Sequence, residues 1–552
     1  MKLSSIVRST RLNALLLSSL LVPASLAAQS PAAQEMPRMA HQDGRYALMV
    51  DGKPYLMLGA QVSNSSGWPE KLSALWPMAA AMHVNTLEVP VYWEQLEPSE
   101  GKFDDSVVDN VVQQARAHHV RLILLWFATW KNGKMHYAPE WVKSDTRRFP
   151  RMITPAGLPI DVLSPNSPAN YNADAAAFAH LMAHLRQIDG TQHTVIMMQL
   201  ENEPGALGAV RDFSAMAQKQ FEANVPPEIA QALHKPAGNW KALFGDDADE
   251  AFAAYATANY IDKVAEAGKK QMALPMYVNN WLKSPRAYPI STIPGVDYPS
   301  GGPTYNMLDM WKAAGPHIDV IAPDIHVPGV QGFINVMQQY TRPDNALFIP
   351  ETDGYGATRG NDGQGRLEFL AIGAGSFGFS PFGIDRVSFG PDGKLDVERQ
   401  GLAENNRLLV PSGDVIAKLQ YEGKMKTAVE EPGLAQIELT FGDWTALVSF
   451  PPAFDSAVPN DGGSPSARLK MGRVLIAPIA TDEFLVIGID AQVSFHRTVH
   501  PQTVQTQFLR VQEGHYEGSD WKPGRLWNGD EADSGLFFSS PGAVLHVKLG
   551  TF

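Results

Sequence analysis

The chain has 552 residues, 44% of them hydrophobic and 19% charged, which is the composition of a folded globular protein too long for one ordinary core. A formal net charge of −13 without any long basic run argues against a nucleic-acid surface and points to a neutral or acidic partner. The absence of cysteine excludes disulfides, thiolate metal sites and cysteine nucleophiles together, and suits an oxidising compartment.

Lys2, Arg8 and Arg11 precede an apolar run from Leu15 to Leu26 that ends in small residues, Ser25-Leu26-Ala27-Ala28. Residues 1–28 therefore read as a signal peptide cleaved near Ala27 or Ala28, and the mature protein as exported, periplasmic or secreted. The run is shorter than the ~20 apolar residues a membrane span needs, and Pro23 interrupts it. No later stretch is long and apolar enough to span, so no membrane association is expected after cleavage.

Residues 29–410 carry the pattern of βα units: short apolar runs alternate with longer stretches of helical periodicity. Eight runs can be named, Tyr55–Val62, Val84–Val91, Arg121–Phe127, Val195–Leu200, Pro275–Asn279, Val320–Ile325, Ala346–Pro350 and Leu370–Phe379. Segments such as Ala173–Ile188 and Asp249–Met272 have the length and spacing of crossover helices. Eight units favour an α/β fold closed into a (β/α)8 barrel over an open sheet. From 411 to 552 the texture changes to short alternating runs, Ala435–Phe441, Trp444–Phe450, Val474–Ile476 and Phe484–Ile489, separated by turn residues, which reads as an all-β, sandwich-like domain. Pro451–Ala467 reads as a long loop inside it.

Barrel active sites form at the C-terminal ends of the strands, so carboxylates there are the first candidates for chemistry. The fourth run ends Gln199-Leu200-Glu201-Asn202-Glu203-Pro204, and the seventh ends Pro350-Glu351-Thr352-Asp353. Strands four and seven of such a barrel face each other across the mouth, where two carboxyl groups can approach the ~5 Å separation of double-displacement glycoside hydrolysis. Two glutamates at these strands, one preceded by Asn202, outweigh the default of a surface carboxylate. Regular alternation would put Glu201 on the same side as Glu203, one step deeper, as a supporting or sugar-contacting residue.

Asn-Glu ending strand four and Glu ending strand seven resemble the large clan of retaining glycosidases built on this barrel. Gln199-Leu200-Glu201-Asn202-Glu203, Asp51-Gly52-Lys53-Pro54-Tyr55 with Gly59, and Asn85-Thr86-Leu87 through Trp93 and Glu97-Pro98 resemble glycoside hydrolase family 35, the β-galactosidases, over roughly residues 48–385. The resemblance implies Glu203 as acid/base, Glu351 as nucleophile and Asn202 as the group holding the hydroxyl beside the anomeric centre. Two positions depart from the family: Pro90 stands where many members have an aromatic residue, and Thr129 where members usually carry an acidic one. With these departures the chain resembles a divergent branch of the family, and the resemblance implies the removal of side-chain galactose from plant polysaccharides such as xyloglucan. The activity implied is a retaining exo-β-galactosidase; the alternatives are a clan-related glycosidase for another sugar, or a non-catalytic carbohydrate-binding protein.

Sugar sites pair aromatic platforms with amides and carboxylates, so Trp126, Trp130, Asn132, Asn280, His326 and Tyr355, all at or just past strand ends, are further candidates for substrate contact. His326, at the end of the sixth run, has two equal readings, a contact that tunes Glu351 or a structural loop histidine. Gly354-Tyr355-Gly356 through Gly360 lacks the spacing of a dinucleotide loop, and His118-His119 has no carboxylate partner at ligand spacing, so neither metal nor organic cofactor is expected. Trp444, Trp521 and Trp527 leave three readings for the β domain: packing on the barrel, a sugar platform, or contact between copies in a homo-oligomer.

Overall fold

The computed structural model describes residues 35–283, 292–327, 329–352, 363–386, 389, 395, 397–431, 434, 436–450, 472–501 and 503–552. The expected signal peptide, Tyr355 and the loop Pro451–Ala467 lie outside the described residues. Eight parallel strands close a barrel in chain order: β1 (Met57–Gln61), β2 (Thr86–Tyr92), β3 (Arg121–Lys131), β4 (Val195–Asn202), β5 (Met276–Trp281), β6 (Val320–Ile325), β7 (Ile349–Thr352) and β8 (Gly378–Pro381). Around it stand α1 (Trp76–Ala81), α2 (Ser106–Ala117), α3 (Pro168–Asp189), α4 (Ala248–Lys269), α5 (Leu308–Ala314), α6 (Gly329–Tyr340) and α7 (Gln364–Gly373).

Strand alternation sorts the side chains. Along β3, Ile123, Leu125 and Phe127 point into the lumen with Met57, Tyr277, Ala322 and Phe348, while Leu122, Leu124 and Trp126 face the helices. A small antiparallel sheet, Arg38–Gln42, Arg45–Val50 and Lys53–Tyr55, adds Leu48 and Val50 to the lumen core. The lower lumen is thus packed with apolar side chains, and polar groups are left for the C-terminal ends of the strands.

The eighth expected run needs correction. Leu370–Phe379 joins the end of α7 to the start of β8, with Gly375 at φ +90° turning between them. Helix and strand are both buried there, so the apolar run is continuous although the conformation changes.

Two further helices, α8 (Val397–Leu409) and α9 (Gly413–Tyr421), lead to the β domain. Its strands are β9 (Lys426–Val429), β10 (Gln436–Phe441), β11 (Trp444–Ser449), β12 (Arg473–Ala480), β13 (Glu483–Ile489), β14 (Ala491–Arg497), β15 (Thr506–Glu517), β16 (Asp520–Leu526), β17 (Leu536–Phe538) and β18 (Ala543–Thr551). They form a six-stranded sheet, β9-β12-β13-β18-β15-β16, and a four-stranded one, β10-β11-β14-β17, with every pair antiparallel. Val474, Ile476, Phe484 and Val486 fill the space between the sheets, while their neighbours Leu475, Ala477, Leu485 and Ile487 pack with Phe369 and Ile372 of the barrel helix α7 and with Leu409 and Ile416 of α8 and α9. One face of the larger sheet is therefore the barrel's partner. Arg473 is fully buried at this seam, donating to Asn405 Oδ1 at 2.5 Å and the Gly401 carbonyl at 3.0 Å and pairing with Glu404 at 3.3 Å.

The three tryptophans of this domain are used in packing. Trp444 and Trp527 are buried and donate to Asp482 and Glu513, and Trp521 stacks on His546 with ring centres 3.7 Å apart. Among the described residues no helix is long and apolar enough to cross a membrane.

Candidate active site

At the C-terminal ends of the strands, and just below them in the lumen, buried polar groups gather from all round the barrel: Gln61 on β1, Glu88 in the first half of β2, Lys131 on β3, Asn202 and Glu203 on and just past β4, Asn279 on β5, Asp324 on β6, Glu351 on β7 and Ser380 on β8. Four of these are acids. Among the described residues, Lys131 and His326 are the cations whose charge acts on Glu203 and Glu351. Burial and repulsion among these carboxyls favour keeping some of them protonated.

The acids divide accordingly. Burial, then the neighbouring charge of Glu351, pushes Glu203 up to about 7, against the opposing pull of Lys131, His326 and a hydrogen bond with Asp324. Burial pulls Glu351 in the same direction, but the hydrogen bond from His326, the charges of Lys131 and His326 and a hydrogen bond from Gln61 outweigh it, and Glu351 lies below the ordinary glutamate value. The His326 Nε2 to Glu351 Oε1 distance is 3.2 Å. Asp324, the register partner of Glu351 across β6 and β7, is held well above the aspartate range by burial and by the charges of Glu351 and Glu203. Glu88 takes a hydrogen bond from Tyr277 at 2.9 Å, and burial still pushes it up to about 8. An ionised Glu351 therefore stands in the same mouth as a proton-bearing Glu203.

Amides fix the geometry. Asn279 accepts from the Glu203 backbone N–H at 2.8 Å and donates to Asp324 Oδ2 at 2.7 Å and Asn202 Oδ1 at 3.2 Å. Asn202 in turn donates to Asn132 Oδ1 at 3.3 Å, which brings the exposed Asn132 to the rim of the mouth. Glu201 and Glu203 both have positive φ, +60° and +45°, a left-handed conformation costing glutamate on the order of 1 kcal/mol or more. That backbone breaks the regular alternation of the strand.

Glu201 is consequently turned out of the mouth, contrary to the expectation from alternation. It accepts the Trp130 N–H at 2.7 Å on the helix side of the sheet. There it meets Asp174 of α3, which receives Trp126 Nε1 at 2.9 Å, Thr129 at 2.8 Å and Tyr260 at 3.0 Å. Burial raises both carboxyls, and in Glu201 the nearby Asp174 charge raises it further; the pair holds a proton.

Three expected contacts are thereby reassigned. Trp126 packs against Phe178 of α3, Trp130 lies edge-on to Tyr260 of α4, and both are buried behind the strands, out of reach of a ligand in the mouth. Asn280 points outward too, donating to the Tyr340 hydroxyl of α6 at 2.6 Å, and its neighbour Asn279 takes the inward place. His326 and Asn202 stand in the mouth with Glu203 and Glu351, and Tyr355 lies outside the described residues. Sequence reasoning missed Gln61, Glu88, Lys131, Asn279 and Asp324 as site residues; their shared signal is a buried polar side chain in a strand that is mostly apolar.

Residues 402–539 match a family described as a domain of unknown function, DUF5597. No significant match was found among curated proteins. Of the solved structures, the chain is similar to a β-galactosidase from Bacillus circulans sp. alkalophilus, at 15% identity over 65% of this chain and 57% of that one, TM-score 0.46. It is similar to a catalytic mutant of a family 42 β-galactosidase from G. stearothermophilus, at 16% identity over 66% and 59%, TM-score 0.47. An exo-β-1,4-mannosidase from Opitutaceae bacterium strain TAV5 aligns at 12% identity over 69% and 63%, TM-score 0.42. The chain thus spans less than two thirds of the length of each of these proteins.

Proposed function

We propose that this chain is an exported retaining glycoside hydrolase that removes terminal β-galactosyl residues from plant-type oligo- or polysaccharides such as xyloglucan. The observation that carries the reading is the opposed pair at the barrel mouth: Glu203 pushed up to about 7 by burial and by Glu351, and Glu351 held low by His326, Lys131 and Gln61. One group can give a proton to a departing glycosidic oxygen while the other attacks the anomeric carbon. In the first step Glu351 forms a glycosyl ester as the bond to the leaving oxygen breaks and Glu203 protonates that oxygen. In the second, Glu203, now ionised, takes a proton from water, which displaces Glu351 and restores the configuration. Asn202 and Asn132 line the rim, where an amide can bind a sugar hydroxyl in the transition state.

A panel of p-nitrophenyl glycosides tests the sugar. Fastest release from the β-galactoside supports the reading, and release only from another β-glycoside replaces galactose while keeping the mechanism. Glu351→Ala tests the chemistry: turnover should be lost, with azide restoring it to give the inverted glycosyl azide. Undiminished turnover would show that Glu351 is not the nucleophile and would overturn the two-glutamate mechanism.

A further inference from the structure

Between α3, α4 and the short helices Ala215–Glu222 and Trp240–Phe244 of the β4–α4 connection lies a cavity of about 280 Å³. It is outside the catalytic mouth, and its size is at the lower edge of the ~300–1,000 Å³ of small-ligand sites. Tyr171, Tyr255 and Trp240 supply aromatic walls, and Asn166, Asn224 and Asn259 supply amides. No residue lining it is charged, in a chain where 19% of residues are. That lining offers nothing to a phosphate, a carboxylate or a metal ion, and suits a neutral ring with one apolar face and several hydroxyls.

A second observation points to a ligand. Asn166 is 7% exposed, and its Nδ2 is buried without a hydrogen-bond partner. A buried amide donor left unmade costs about 1–3 kcal/mol; this one has almost no accessible surface, so it meets a ligand in the recess as the Asn166 amide turns into the cavity it lines. Asn166 lines both this cavity and a void of about 10 Å³ behind it, whose wall includes Trp130.

We infer that this recess is an accessory carbohydrate site that binds one neutral sugar unit of a larger substrate. The choice of sugar as ligand rests on the proposed glycosidase function, but the recess shares no residue with the catalytic mouth. A nitrophenyl glycoside needs only the mouth, so binding at the recess and hydrolysis in the mouth can be read separately.

The test compares the full chain with Tyr255→Ala and with Asn224→Ala, whose exposed position on the rim keeps the substitution out of the packed core. Migration is measured in native gels containing xyloglucan, β-mannan or arabinogalactan, alongside p-nitrophenyl β-galactoside hydrolysis. Retardation by one polysaccharide that falls at least threefold in both variants, with unchanged nitrophenyl hydrolysis where there is any, supports the site and names its sugar. Retardation equal in wild type and Asn224→Ala, or none in any gel, overturns it. If no nitrophenyl glycoside is hydrolysed but retardation still depends on the recess, the catalytic reading fails and the accessory site stands. If hydrolysis is normal and retardation ignores both substitutions, the accessory site fails alone.

Discussion

The backbone N–H of Glu203 donates to Asn279 Oδ1 at 2.8 Å, so the acid that ends β4 is held in place by an amide from β5. The same amide reaches Asp324 and Asn202, which makes Asn279 the point where three strand ends are tied together.

Asn279→Ala should therefore lower kcat on the order of 100-fold, because a Glu203 free to shift by an ångström loses its alignment with the leaving oxygen. Asn280→Ala removes only the bond to Tyr340 and should cost on the order of 1–3 kcal/mol of stability with kcat little changed. Thermal unfolding and steady-state kinetics of the two variants, side by side, check the contrast.

Activity should fall as pH rises through about 7, where Glu203 loses the proton it must donate. At low pH it should fall again as Glu351 becomes protonated. His326→Ala removes the hydrogen bond and charge that help hold Glu351 down, so the acidic limb should move to higher pH. A kcat/KM profile of both proteins reads this directly.

Burial and the charges of Glu351 and Glu203 hold Asp324 well above the aspartate range, which favours its protonated form. Asp324→Asn, a neutral group of the same shape, should keep kcat/KM within roughly tenfold, about 1.4 kcal/mol. Asp324→Ala, which removes the shorter of the two hydrogen bonds that the Asn279 amide donates, should lose considerably more. A shifted pH optimum in Asp324→Asn would mean that the aspartate is ionised.

Glu201 and Asp174 give a stability prediction. Their folded values are raised, so above the unfolded glutamate value near 4.5 the native state binds a proton that the unfolded chain has released. Stability from this pair is present at low pH and declines as pH rises, by up to about 1.4 kcal/mol per pH unit for one proton. Glu201→Gln removes that penalty, so its melting temperature should gain on wild type as pH is raised from 4.5 towards neutrality.

The barrel was legible in the sequence because its strands are short apolar runs and its long helices repeat at helical spacing. Leu370–Phe379 was misread because a buried helix end and a buried strand are equally apolar. Glu203 and Glu351 could be placed by strand number alone, since the chain order of a closed barrel sets which strand ends face one another. Asn279 and Asn280 could not be told apart, because either could be the inward one until the register of β5 was known. Trp126 was decidable in principle: Ile123, Leu125 and Phe127 alternate, and the tryptophan falls on the other side. Glu201 was not, since its left-handed backbone depends on contacts with Trp130 and Asp174 that come from elsewhere in the chain.

The most direct test of the two-glutamate assignment is to incubate the protein with 2,4-dinitrophenyl 2-deoxy-2-fluoro-β-galactoside and map the labelled peptide by mass spectrometry. The account predicts one stoichiometric fluoroglycosyl ester on Glu351, formed as activity is lost; label on Glu203 or another carboxylate, with Glu351 unmodified, would contradict it.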